Sequence, residues 1–285
     1  MKKLLIILIL SVTAKTAFCQ YGPVAYRSLE QTIGEKYIIL SDMSQQQEDY
    51  DFISKASTPN NGLPYGEGHG KVFKLTSIDD KNGHFVDSAG VEYLVRLENR
   101  YQFYSIASFS DFNDAVKLFL GKNLWMNADK LYGGRTLIDE KKYGIKSDIT
   151  GVRFAQVTVI DILPFGIDDL PLVFVLKTAK GEVGYTFVNV SGTNALRKNE
   201  NLFENIFFAQ NPKTLYHFTA AVWKMIETRD VKIGMPAQAV ELVMGRPDAR
   251  HNTKTATTFR EQWVYGTTNP SYYYFENGKL TVIQN

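Results

Sequence analysis

The segment 66–71, GEGHGK, has the residue types of a phosphate-binding loop. In such a loop, glycines at fixed spacing let backbone N–H groups surround a phosphate, and a lysine is followed by serine or threonine. Here Tyr65 occupies the place of the first glycine and Val72 follows Lys71, so the pattern fails at two positions. We interpret the segment as a turn that leads into a strand beginning at Val72.

Acidic residues could serve glycoside hydrolysis, in which one carboxyl group donates a proton and a second acts as base or nucleophile. Two adjacent pairs occur, Asp79-Asp80 and Asp168-Asp169, but such pairs beside glycine, asparagine or proline are ordinary turn residues. The Gly-x-Ser-x-Gly pattern of a nucleophilic serine does not occur in the sequence. An envelope hydrolase acting on peptidoglycan or a glycan, with Asp79 and Asp161 as its acids, therefore remains only as an alternative.

Residues that bind metals are sparse. The histidines, at positions 69, 84, 217 and 251, are widely separated, and no two have the spacing of a zinc-binding pair on one helix. Cys19 is the single cysteine of the chain. The sequence therefore predicts no metal, no cofactor and no catalytic residue.

The first nineteen residues have the pattern of a secretory signal peptide. Two lysines precede an apolar run, residues 4–12, which is too short to span a bilayer. Ala17 and Cys19 have the spacing of a cleavage site, so we expect the mature chain to begin at Gln20. Acylation of Cys19 would favour a small residue before it, and Phe18 is large, which argues against a lipid anchor. We expect an exported protein, periplasmic or associated with the outer membrane.

Removal of this segment changes the charge of the chain. The full sequence has 32 basic and 30 acidic residues, a formal net charge of +2. Lys2, Lys3 and Lys15 leave with the signal peptide, so 29 basic residues remain against 30 acidic ones, a net charge of −1. No positive surplus for nucleic-acid binding is left. Because Cys19 also leaves, no disulfide can form, and packing alone must hold the core.

The composition of the remaining 266 residues favours β-rich domains. The chain contains 18 Phe, 16 Tyr and 21 Gly, and its polar residues cluster between short apolar runs. None of these runs reaches the roughly 18 residues that suggest a membrane-spanning helix. The length is enough for two or three domains of ordinary size.

Two segments in the first two thirds of the chain resemble each other. Residues 33–39 align with 120–126 at an offset of 87, and residues 75–79 align with 157–161 at an offset of 82. Each copy continues into further strand-like runs punctuated by glycines. The layout resembles tandem Src-homology-3-like barrels of exported bacterial proteins, with a helix over 111–119 between the two. Two halves of one β-sandwich are the alternative.

Barrels of this kind often bind peptides or cell-wall fragments, as the resemblance implies. The aromatic residues that could line such a groove are Tyr101, Phe103, Tyr104 and Trp125. Alternate residues of any half-buried strand point inward, so the competing interpretation is that these side chains belong to the core.

The last fifth of the chain predicts a compact α+β module. Asn211 and Pro212 favour a helix start, and the apolar spacing predicts one helix to about Arg229. Pro236 opens a second helix, which ends at Gly245. Residues 262–265, 271–275 and 280–283 alternate as three strands. Asn277-Gly278 is a strong hairpin signal between the last two.

These features together resemble the BamE (SmpA/OmlA) domain family and related envelope modules built like the β-lactamase inhibitor proteins. The resemblance implies a two-helix, three-strand domain that binds other proteins and has no catalytic residues. It is carried by Gly234, Met235, Val240, Gly245, Pro247, Trp263, Tyr265, Phe275, Gly278 and Leu280.

We therefore predict a mainly β chain with an α+β end. Its parts are a signal peptide (1–19), a first small antiparallel β-barrel (20–109), a second one with the linking helix (110–211) and a BamE-like domain (212–285). The predicted function is non-enzymatic. The chain would bind another envelope protein, a peptide or a cell-wall fragment, and inhibition of a secreted hydrolase is a further alternative.

Overall fold

The computed structural model describes residues 28–41, 49–99, 102–103, 105–134, 138–167, 170–188 and 203–285. The predicted signal peptide with Cys19 lies outside the described residues, and so do Tyr101 and Tyr104. The chain divides into two compact units. The first is drawn from Met1–Asn113, Gly166–Pro171 and Asn189–Glu204, and the second from Asp114–Phe165, Leu172–Val188 and Asn205–Asn285.

Strands outnumber helices within the described ranges. After a 3₁₀ turn at Leu29–Thr32, the helices are α1 (Tyr65–Gly68), α2 (Phe109–Phe119), α3 (Glu140–Tyr143), α4 (Phe203–Ile206), α5 (Pro212–Leu215), α6 (Ala220–Glu227) and α7 (Ala237–Met244). The strands are β1 (Lys36–Ile39), β2 (Ile53–Lys55), β3 (Val72–Ile78), β4 (Asn82–Asp87), β5 (Glu92–Asn99), β6 (Gln102–Phe103), β7 (Ile106–Ser108), β8 (Asn123–Met126), β9 (Lys130–Leu131), β10 (Ile149–Thr150), β11 (Gln156–Ile167), β12 (Leu170–Thr178), β13 (Val183–Val188), β14 (Phe207–Phe208), β15 (Ala249–Lys254), β16 (Phe259–Tyr265), β17 (Ser271–Glu276) and β18 (Lys279–Gln284).

The first unit is built on one antiparallel sheet. Its strand order is β2-β5-β4-β3-β1-β7, with β6 added beside β5. Alternate residues of the three central strands are buried, as expected for a sheet with one covered face. They form an aromatic and aliphatic cluster that includes Phe73, Leu75, Phe85, Tyr93 and Val95.

The second unit contains a sheet of order β13-β12-β11-β8-β14. Residues 172–176 of β12 are all buried, which is typical of a strand covered on both faces. Phe119 of α2 and Phe207 of β14 both contact Phe174, with ring centroids 5.6 and 5.8 Å away. The predicted helix over 111–119 is thus confirmed, although it begins two residues earlier, at Phe109.

The two sheets repeat one arrangement of strands. The order β5-β4-β3-β1-β7 in the first corresponds to β13-β12-β11-β8-β14 in the second. Three backbone hydrogen bonds also recur. Gly34 N–H donates to the Leu75 carbonyl, Leu75 N–H to Glu35 and Ile39 N–H to Lys71. Their counterparts are Gly121 to Val159, Val159 to Lys122 and Met126 to Ala155.

The register of the predicted repeat needs a correction. The hydrogen bonds keep the offset of 87 for the first strand, but they match Leu75 with Val159, an offset of 84 where the sequence comparison used 82. Asp79 and Asp161 are consequently not equivalent positions. A shift of two residues keeps every side chain on the same face, so the apolar pattern could not reveal the error.

The mainly β fold class with an α+β end is confirmed. No closed barrel is found in the described part of the chain, so closure of either sheet stays a prediction. A search of the same residues finds no helix with the length and apolar character needed to cross a membrane.

Asp87 fixes the turn between β4 and β5. Its carboxylate accepts hydrogen bonds from the backbone N–H groups of Ala89 and Val91, from Lys71 Nζ at 3.1 Å and from the Tyr93 hydroxyl at 3.0 Å. Burial opposes ionisation of this side chain, which is 7% exposed. The hydrogen bonds outweigh burial and lower the pKa of Asp87 to about 2.

Replacing Asp87 with asparagine should lower the free energy of unfolding at pH 7 by about 1–3 kcal/mol, because Lys71 loses its charged partner. The pKa of Asp87 is depressed from 3.8 in the folded chain. Its stabilising contribution is therefore present above about pH 4 and is lost as the pH falls toward 2. Urea unfolding measured from pH 7 to pH 2 should show that the difference in free energy of unfolding between wild type and D87N becomes smaller as the pH falls. The control is Asp80→Asn, which changes an exposed aspartate in the turn between β3 and β4. A gap that stays constant would contradict this role.

Candidate protein-binding surface

The C-terminal module, residues 212–285, differs from the prediction in two ways. The expected single helix from Pro212 to about Arg229 is divided into α5 and α6. Thr219 caps α6 by accepting a hydrogen bond from Val222 N–H, and the Tyr216 and Phe218 rings stack at 5.5 Å between the helices. These local interactions compete with a continuous helix. The predicted Asn211 cap is confirmed, since its side chain accepts from Lys213 N–H.

The sheet of the module has four strands in the order β15-β16-β17-β18, where three were predicted. Strand β15 was missed because its sequence, ARHNTK, shows no apolar alternation. Five of its six side chains are exposed, as an edge strand allows. The predicted hairpin is confirmed, because Asn277 and Gly278 both have positive φ, 50° and 77°, between β17 and β18.

One face of this sheet packs against α6 and α7. Trp263 is 2% exposed and lies 4.4 Å from the Phe275 ring, measured between centroids. Met235 and Val240 complete the same core. Tyr265, on the same face, donates a hydrogen bond at 2.8 Å to the carbonyl of Gly245, where α7 ends. Burial raises its pKa, and the charge of Glu241 raises it further.

Other motif residues shape the backbone around this core. Gly234 N–H donates to the Leu280 carbonyl at 2.7 Å, and Leu280 N–H donates to Met235 at 2.9 Å. Gly245 closes α7 with φ 80°, and Pro247 is buried directly after it. The motif that suggested the family therefore supplies the inside of the module.

The second sheet of the same unit also contributes to this core. Trp125, Phe154 and Phe208 pack against it. Arg153 Nε donates to the Asn127 carbonyl at 3.1 Å, and its guanidinium also donates to Leu242 in the last turn of α7. Burial lowers the pKa of Arg153, and the nearby charge of Arg229 adds to this. A boundary near residue 211 would pass through this shared packing, and the three-domain division stays a prediction.

The other face of the sheet, which we call the open face, bears side chains in cross-strand rows. Strand register places Ala249, Val264, Tyr272 and Gln284 in one row and His251, Gln262, Tyr274 and Val282 in the next. A third row contains Thr253, Arg260, Glu276 and Lys279. Among the described residues, none of these side chains belongs to the core cluster of the module. Val264, Tyr272 and Tyr274 are half-buried, and Val282 is 49% exposed.

Hydrogen bonds hold the centre of the open face. Gln262 Nε2 donates to the Tyr274 hydroxyl at 3.0 Å, and that hydroxyl donates to Gln284 Oε1 at 3.1 Å. Arg260 pairs with Glu276 at 3.3 Å toward one border. A tyrosine held by two hydrogen bonds, beside a second tyrosine and valine and bordered by charged groups, is a composition typical of protein interfaces.

The alternation of side chains along each strand is enough to predict which residues form the open face. The pattern that placed Trp263 and Tyr265 on the inner face puts Gln262 and Val264 on the opposite one. The strand residues that carry the family resemblance lie on the inner face, and Tyr272 and Tyr274 are not among them.

The sequence candidates lie elsewhere. Trp125 is half-buried and packs against the C-terminal core. Phe103 is 3% exposed and belongs to the core of the first sheet, so its assignment to a groove was wrong. Tyr101 and Tyr104 lie outside the described residues. Asp79 accepts hydrogen bonds from the Lys81 and Asn82 N–H groups and contacts His84 at 2.8 Å.

The remaining acid, Asp161, accepts a hydrogen bond from the Tyr143 hydroxyl at 2.5 Å, and Lys142 lies 3.6 Å away. Asp168 and Asp169 lie outside the described residues. Among the residues that are described, no group of three or more metal-ligand side chains comes together.

Comparison with known proteins does not identify a family. No family model matches the chain, and no curated protein matches it. A solved structure that aligns with it is NlpC2 from Trichomonas vaginalis, at 9% identity over 89% of this chain and 99% of that one. The TM-score is 0.16, too low to indicate a shared fold.

Truncation of two adjacent residues of β17 should lower the free energy of unfolding by very different amounts. Tyr274→Ala changes the open face and should lower the free energy of unfolding by about 1 kcal/mol or less. Phe275→Ala removes a 2%-exposed ring from the core and should cost about 3–5 kcal/mol. Urea unfolding followed by tryptophan fluorescence compares the two. Equal losses would mean that Tyr274 belongs to a core and that the open face is covered.

Proposed function

We propose that this chain is a non-enzymatic protein of the bacterial cell envelope that binds another protein through the open face of its C-terminal sheet. The proposal combines the signal-peptide pattern of residues 1–19 with the surface formed by the three cross-strand rows. The chain would be exported and act in the periplasm or at the outer membrane, without a lipid anchor on Cys19.

The arrangement around Tyr274 carries the proposal. Its hydroxyl is held between Gln262 and Gln284, and the ring therefore has little rotamer freedom left to lose on binding. Tyr272 and Val264 are cross-strand partners in the adjacent row, so the apolar surface is continuous. Interfaces commonly concentrate their binding energy in such a small aromatic centre.

Finer parts of the proposal concern architecture. The two sheets with matching strand order would be small barrel-type modules of the Src-homology-3-like kind, followed by the BamE-like domain. The shared hydrogen bonds of Gly34 and Gly121 support a duplicated module. A peptide or a cell-wall fragment is the partner that the barrel resemblance suggests for the first two modules.

Two alternative functions have less support. For a glycan hydrolase, the acids Asp79 and Asp161 are each engaged in local hydrogen bonds and are not equivalent in the repeat. Inhibition of a secreted hydrolase would be a special case of protein binding and would use the same module.

Site-specific photocrosslinking in the producing cell tests the proposal. A photoreactive amino acid at Val282, on the open face, should yield a discrete adduct with one protein. The matched control is Ile233, an exposed apolar residue of the same module that is 66% exposed but lies off the open face. Tyr272→Ala with Tyr274→Ala should remove the Val282 adduct.

Absence of an adduct at Val282, or the same adducts at both positions, would refute binding through the open face. An adduct that survives the double tyrosine substitution would show that these rings do not contribute to the contact.

A further inference from the structure

Strand β15 presents an edge of six residues that has no paired strand among the described residues. The outer edge of β18 is covered at its start by the segment before α7, through hydrogen bonds between Leu280 and residues 234–235. In the first sheet the edge strands β2 and β7 have three residues each, and in the second β14 has two. Strand β13 is partly covered by two hydrogen bonds between Tyr132 and Tyr185. The six residues of β15 have a paired strand on one side only.

An uncovered edge presents N–H and C=O groups that can pair with another chain. Proteins protect such edges with charged side chains, and β15 carries Arg250 and Lys254 and no carboxylate. The Arg250 guanidinium lies 4.3 Å over the Trp263 ring and 2.5 Å from Glu241, so its position along the edge is fixed. Lys254 is exposed at the other end of the strand.

Alternation along β15 determines which of its side chains an added strand would contact on each face. Arg250, Asn252 and Lys254 share the inner face, and His251 and Thr253 share the open face. An added strand would therefore place two residues, four positions apart, opposite Arg250 and Lys254. Glu261 lies one strand further in, opposite Asn252, about 10 Å from the added strand at two strand spacings.

Pairing of two copies through the full length of β15 is disfavoured by charge. In the antiparallel two-fold register centred on Asn252, Arg250 of each copy would lie opposite Lys254 of the other. Like charges directly opposite each other destabilise a strand pair, and this register would contain two such contacts. Acidic residues at the same places would be attracted.

We propose that β15 accepts an extended segment of a partner protein as a fifth strand, and that this segment carries acidic residues at two positions four apart. The inference rests on the proposed function, because the added strand would extend the open face from which Tyr274 is presented. Backbone pairing would supply the affinity, and Arg250 and Lys254 would select the acidic pattern.

A synthetic peptide can test the edge directly on the mature full-length chain. The probe is TEVTVET, with glutamates four apart, and the matched control is TKVTVKT. We expect saturable binding of the glutamate peptide in fluorescence anisotropy, about tenfold tighter than that of the lysine peptide, since two cross-strand pairs change sign. N-methylation of alternate peptide nitrogens should abolish binding. Hydrogen exchange should show new protection in residues 249–254.

Charge reversal supplies a second measurement. Lys254→Glu should weaken the glutamate peptide about fivefold, because one of the two pairs becomes repulsive. It should also let two copies pair through β15, since each Arg250 would then face a glutamate, and sedimentation velocity would detect the dimer. Lys279→Glu, at the covered edge strand, is the control and should change neither result.

No saturable binding of the glutamate peptide, or protection mapped to 271–276 instead of 249–254, would overturn the inference. Dimerisation of the wild-type chain through β15 would also overturn the charge argument. If the Val282 crosslink persists in these cases, protein binding by the open face stands without the added strand. If the peptide binds and the Val282 crosslink fails, strand addition at β15 stands without protein binding by the open face.

Discussion

Packing of Trp263 against Phe275 decides the organisation of the C-terminal module. Because side chains alternate along β16 and β17, placing these two rings under the helices forces Gln262, Val264, Tyr272 and Tyr274 to the opposite face. A register slip of one residue would exchange the two sets and expose the core. The surface proposed for binding thus follows from the burial of residues that never contact a partner.

The repeated sheets show how much of a module can change while its backbone is kept. The turn that Asp87 stabilises by accepting N–H groups has Thr178 at the matching place, and the Thr178 hydroxyl accepts from Glu182 N–H at 3.2 Å. Gly90 and Gly181 have nearly the same positive φ, 80° and 84°. The charged contact with Lys71 is confined to the first copy. The two copies thus share the turn conformation and its side-chain cap, whereas the ion pair with Lys71 occurs in the first copy alone.

Local signals predicted much of the fold because they act within a few residues. The Asn277-Gly278 turn, the Asn211 cap and the end of α7 at Gly245 all occur as expected. What failed depended on partners distant in sequence. Strand β15 is paired only through β16. The break at 216–219 combines the local Thr219 cap with packing of the Tyr216 and Phe218 rings against a core drawn from distant residues. The open face was implied by alternation, but its hydrogen-bonded centre, joining residues 262, 274 and 284, required the strand register.

The contribution of Trp125, Phe154 and Phe208 to the C-terminal core has an evolutionary consequence. Recombination at residue 211 would separate this module from three aromatic rings of the preceding part of the chain and would expose apolar surface on both fragments. Inheritance of the surface proposed for binding would therefore be tied to inheritance of the second repeat. Gene fusions that carry this surface into new proteins would therefore be expected to retain the chain from about residue 114 onward, the start of the second compact unit.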